Sequence, residues 1–76
     1  MIAENNEDGT ITVTGYCRIA KELYSVTVPS KGYFFWQKGE HIQNALPDVS
    51  IEDREFLISG LSPKGWNLMF NQNEEA

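Results

Sequence analysis

Few residues in this chain are of a type that does chemistry: a thiol at Cys17, an imidazole at His41, and carboxylates gathered at Glu52, Asp53 and Glu55. A thiol nucleophile needs a base to draw off its proton, and His41 is the single histidine present. Cys17 falls on the apolar side of an alternating run, in register with Ile11 and Val13, where an inert buried side chain is expected instead. The carboxylates could form an acid/base pair. They come just after the capping Ser50, however, and acids in a helix's first turn complement the positive end of its dipole without any reaction. A metal site would require Cys17, His41 and two carboxylates to converge from positions that match no dedicated ligand spacing. The chain also lacks a Gly-rich phosphate loop, a nucleophile elbow and a His-Glu metal motif. It is therefore expected not to be an enzyme, with no catalytic, cofactor-binding or metal-ligating residues and no cofactor.

Composition points the same way. At 76 residues the chain holds one domain, and so small a domain buries only about 60% of the surface its unfolded form exposes. A disulfide, a metal or a partner subunit often supplements such a core. The lone cysteine excludes an internal disulfide and suits a reducing cytosol. Residues 1–8 are polar and acidic where a secretory signal would be basic and then apolar. The longest apolar stretch, Tyr33 to Trp36, is far too short to cross a bilayer, so a cytoplasmic protein without membrane contact is expected. Eleven acidic residues against six basic ones give a net charge of −5, which repels phosphate backbones unless a local basic patch intervenes. Arg18, Lys21, Lys31 and Lys38, interleaved with Tyr16, Tyr24, Tyr33 and Trp36, would be that patch.

The elements that must position these residues follow from periodicity and turn chemistry. Residues 10–19 and 22–28 alternate apolar with polar, which predicts two strands of an antiparallel hairpin ended by Pro29. The turn between them, Arg18 to Lys21, contains no Gly, Asn, Asp or Pro. Ser30 to Lys38 reads as a short helix capped by Ser30 and stopped at Gly39, whereas 41–46 fits a helical turn or an extended segment equally well. Ser50 caps a second helix that Gly60 ends, and Ser62-Pro63 opens a third. The expected fold is α+β: an N-terminal antiparallel β-hairpin packed on a short helix and a C-terminal helical hairpin. Residues 10–70 form the domain, between a flexible lead-in at 1–9 and a flexible tail at 71–76. Trp36, Phe56, Trp66 and Phe70 are the expected core, with Trp66 as the main anchor.

Several phrases carry a resemblance. They are Tyr24 to Val28, Gly32-Tyr33 with Trp36 and Gly39, Ile42 to Pro47, Arg54 to Gly60, and Trp66 with Met69-Phe70. In this order, over about three quarters of the chain, they resemble a family of short proteins carried by bacteriophages, prophages and other mobile elements. Many of its members hold two C-x-x-C pairs in the manner of a zinc ribbon. Carried over, those cysteines fall at Cys17, Ala20, Ser62 and Gly65, so one thiolate is left where four would hold zinc. The resemblance thus implies a degenerate site without metal, and a turn at 18–21 inherited from a metal knuckle. It brings no activity with it.

These features together lead to a small non-enzymatic protein that binds another protein, from host or phage, through Tyr33, Phe34, Phe35 and Trp36 if that cluster stays exposed. The alternative is a nucleic-acid-binding module descended from a zinc-ribbon-like ancestor, using Arg18, Lys21, Lys31 and Lys38. An acidic decoy that imitates nucleic acid would need its carboxylates ordered on one face.

Overall fold

The computed structural model describes the backbone of residues 1–75 and the side chains of residues 1–70. Over the described residues the fold is α+β, a three-stranded antiparallel sheet followed by four helices. Strands β1 (Ile2–Asn5), β2 (Thr10–Cys17) and β3 (Glu22–Pro29) lie side by side in chain order. The register sets Ile11 beside Val28 and Val13 beside Val26, so one face of the hairpin is apolar and buried. On the other face, hydroxyl pairs Thr12–Thr27 at 3.0 Å and Thr14–Ser25 at 2.8 Å link the strands.

Ile2–Asn5 was expected to be an unstructured lead-in and is instead an edge strand, with Ile2 opposite Thr14 and Asn5 opposite Ile11. All four of its residues are exposed, so backbone pairing to β2 forms the strand and no apolar periodicity betrays it. The turn into β2 is shaped by Asp8, whose carboxylate accepts from the Thr10 hydroxyl at 2.6 Å and its N–H at 3.2 Å, and by Gly9 at φ 85°.

Helix α1 (Ser30–Gln37) begins directly after β3, and its N-cap is Pro29 rather than Ser30, with no side-chain cap bond. The segment left open at 41–46 forms a short helix, α2 (Ile42–Ala45). It crosses α1 at Gly32, where a Cβ would collide with the Ala45 carbonyl and the Leu46 side chain. Helix α3 (Ile51–Ser59) starts as expected, the Ser50 hydroxyl accepting from the Asp53 N–H at 3.2 Å, and stops at Gly60 in the left-handed conformation. Helix α4 (Pro63–Glu75) is capped by Ser62, which accepts from the Gly65 N–H at 3.1 Å. It continues through 71–75, where a tail was expected; Ala76 lies outside the described residues.

The core is the layer between the sheet and the first three helices: Ile11, Val13, Val26, Val28, Leu46, Phe56 and Leu57. Gly15, on the inner face of β2, leaves space for the Phe56 ring, which approaches to 3.2 Å of where a Cβ would stand. Of the four aromatics expected inside, Phe56 is fully buried and Trp36 packs at the edge of the core. Trp66 and Phe70 lie outside that cluster, and Phe70 is 54% exposed, stacked on Trp66 at 5.2 Å. Helix α4 meets the sheet through its N-terminus at Ser62 and Gly65, which leaves its aromatic stripe to stack on itself.

Candidate functional site

Three places carry residues with chemical potential, and the first is the junction of the β2–β3 turn with the start of α4. Cys17 ends β2 completely buried. Its sulfur accepts from the Ala20 N–H at 3.4 Å and its carbonyl from the Lys21 N–H at 2.7 Å, while Lys21 takes a positive φ of 58°. These bonds hold the turn that has no conventional turn residue. The buried Ser62 packs here, and a Cβ on Gly65 would stand 2.5 Å from Cys17 Sγ and 3.5 Å from Ser62 Oγ. The Cys17–Ala20 pair and the Ser62–Gly65 pair, far apart in the chain, therefore meet at the Cys17 sulfur. Burial pushes the thiol pKa up, but the Ser62 hydroxyl and the N–H groups of Ala20, Ser62 and Ile19 outweigh it and bring it down to about 7. His41 is exposed at the N-cap of α2 and is not among the groups bonded to this thiol. Among the described residues no three His, Cys, Asp or Glu side chains are grouped to hold a metal ion.

The second place is the first turn of α3. Asp53 accepts a 2.6 Å hydrogen bond from the Tyr24 hydroxyl, and the Tyr24 ring meets Phe56 edge-on at 4.9 Å. That bond, with burial and the charges of Asp53 and Glu52, pushes the Tyr24 pKa up to about 12. Asp53 is thus a tie between α3 and β3 as well as a helix-dipole acid, a role its local sequence does not announce. Glu52 and Glu55 instead border an open hollow of about 310 Å³ with Ile51, Pro63, Trp66 and Asn67.

The third place is α1. The structure divides the quartet Tyr33 to Trp36 by helical periodicity: Tyr33 and Trp36 pack on the core and touch each other edge-on at 5.9 Å. Phe34 and Phe35 turn outward, 53% and 47% exposed. The four cations are not gathered. Arg18 and Lys21 are at the tip of the β2–β3 hairpin, whereas Lys31 lies in α1 and Lys38 is its C-cap, and α1 starts from the opposite end of β3. Their tyrosines are divided too, Tyr16 lying exposed and Tyr24 turned inward onto Phe56.

No family model, curated protein or solved structure matches the chain. A closed thiol, a carboxylate held by a tyrosine and an exposed aromatic pair have different capacities. The first two are absorbed in holding elements together, whereas Phe34 and Phe35 of the third are about half exposed. No helix is long and apolar enough to cross a membrane among the described residues.

Proposed function

We propose that this chain is a non-enzymatic protein-binding module of phage or mobile-element type, acting in the cytoplasm on a host or phage protein through a surface centred on Phe34 and Phe35. The observation that carries it is the pair itself: two adjacent phenylalanines, each about half exposed, on a helix whose other face is anchored by Tyr33 and Trp36. Rigid aromatic side chains lose little entropy on binding and bury a large apolar area, which is why such residues dominate interface energetics. Phe34 touches the Tyr33 ring edge-on at 6.3 Å, but neither phenylalanine belongs to the buried core.

The net charge of −5 and the division of Arg18 and Lys21 from Lys31 and Lys38 support a protein partner over nucleic acid. The resemblance to mobile-element proteins supports the biological setting. The test is binding by the intact chain against a Phe34→Ala/Phe35→Ala variant. The variant keeps the melting curve of the parent and loses the partner; unchanged binding would remove the surface from consideration.

A further inference from the structure

Helix α3 leaves one side uncovered. Phe56 and Leu57 are buried, while Ile51 (69% exposed) and Ile58 (57%) stand two turns apart on the opposite side with Arg54 and Glu55 between them. All four border a hollow of about 340 Å³ that Ile42 and Gln43 of α2 line from the other side. Two charged side chains there, Arg54 and Glu55, have no ion-pair partner among the described residues. Arg54 Nε is buried with no hydrogen-bond partner. Neither Arg54 nor Glu55 takes part in the ion pair found among the described residues, Lys64–Glu22, and the Ser59 hydroxyl bonds Glu55 at its backbone carbonyl, not its carboxylate. An unsatisfied buried donor is a costly arrangement unless something completes it, and the part-exposed Glu55 carboxylate beside it can pair with a cation from outside the chain.

The order Ile51, Arg54, Glu55, Ile58 is symmetric in shape about its midpoint and opposite in charge across it. If two copies are related by a two-fold axis through that midpoint, with their α3 helices antiparallel, Ile51 of each copy meets Ile58 of the other. Arg54 of each then meets Glu55 of the other, and every pairing occurs twice. We propose that the chain forms a two-fold homodimer through this face, the α3 ridge of each copy seated in the hollow of the other. A second copy is the occupant because the charge pattern complements itself: a uniformly basic partner would oppose Arg54 and a uniformly acidic one Glu55. The thin core of a 76-residue domain also leaves a place for the stabilisation that a subunit contact adds. This dimer is independent of the Phe34–Phe35 surface, which lies on another helix.

Sedimentation velocity of the full chain over micromolar to millimolar concentrations tests it. The parent chain should associate to a dimer. Glu55→Arg, which leaves only cations at the axis, should weaken the dimer by roughly 100-fold or more, and Arg54→Glu should do the same. The swap Arg54→Glu/Glu55→Arg restores the pairs across the axis and should restore the dimer. A chain that stays monomeric throughout, a dimer indifferent to Glu55→Arg, or a loss that the swap does not repair would each overturn the proposal. Should the variants not fold, dilution of the labelled parent chain gives the answer by NMR. The amide signals that move should be those of α3 and of Ile42 and Gln43, and movement confined elsewhere would overturn it as well.

Discussion

The Tyr24 hydroxyl donates a 2.6 Å hydrogen bond to the Asp53 carboxylate, across 29 residues of chain, and so fastens the sheet to the first turn of α3. The same tyrosine rests its ring on Phe56, at the centre of the core. A helix whose first turn is held in this way presents its other side, Ile51 to Ile58, in a fixed orientation.

Alkaline pH should undo this tie. The folded pKa of Tyr24, about 12, lies above the ordinary value of 10.0, so the folded state holds the phenolic proton more tightly. Its contribution is complete below pH 10 and is lost as pH rises through 12. Denaturant unfolding of the parent chain and of Tyr24→Phe should differ by about 1 to 2 kcal/mol at neutral pH and converge across that window. Parallel curves would show that Tyr24 is not so held.

Core position should separate two phenylalanines. Phe56→Ala should cost about 3 to 5 kcal/mol, enough to unfold most of a domain this small. Phe70→Ala should cost under about 1 kcal/mol, because its ring is half exposed and stacks on Trp66 outside the core. Equal losses in chemical denaturation would place α4 in the core after all.

The contrast between those two residues shows how far the sequence could be read. Alternation announced β2 and β3, and the Ser50, Gly60 and Ser62-Pro63 signals placed α3 and the start of α4, because caps and period-2 patterns are local. Strand β1 has no buried side chain, so only the Asp8-Gly9 turn hinted at it. The spacing of Trp66 and Phe70 matches a docked helix face, but α4 docks by its first turn, and nothing local distinguishes the two cases. The division of Tyr33 and Trp36 from Phe34 and Phe35 was implicit in the helical period once α1 was known to be a helix. The Tyr24–Asp53 tie and the meeting of Arg54 with the α2 hollow depend on tertiary placement alone.

At the thiol junction, Gly65 is required by its neighbour and not by its own backbone. Gly65→Ala should destabilise the chain by about 1 to 3 kcal/mol, because the new methyl would press on Cys17 Sγ. In a Cys17→Ala background that obstacle is gone, and the same change should stabilise by up to about 1 kcal/mol through helix propensity. A double-mutant cycle on melting curves measures the coupling; simple additivity would contradict the contact.

The Ser62 hydroxyl should set the acidity of that thiol. The folded pKa of about 7 lies below the ordinary 9.0, so the thiolate's contribution to stability is present above pH 9 and is lost as pH falls through 7. Ser62→Ala removes a donor and should move the thiolate absorbance transition upward in pH. An unchanged transition would mean that the backbone N–H groups alone hold the charge.

The central claim is that Phe34 and Phe35 form a protein-binding surface, and affinity capture from nuclease-treated cell extract at high salt tests it most directly. The parent chain should retain a protein that Phe34→Ala/Phe35→Ala does not, while Lys31→Ala/Lys38→Ala still retains it. Salt removes long-range charge attraction but not apolar burial, so the retained protein should survive the wash. Retention that disappears with salt or with the lysine pair, or that is indifferent to the loss of both phenylalanines, would contradict the account.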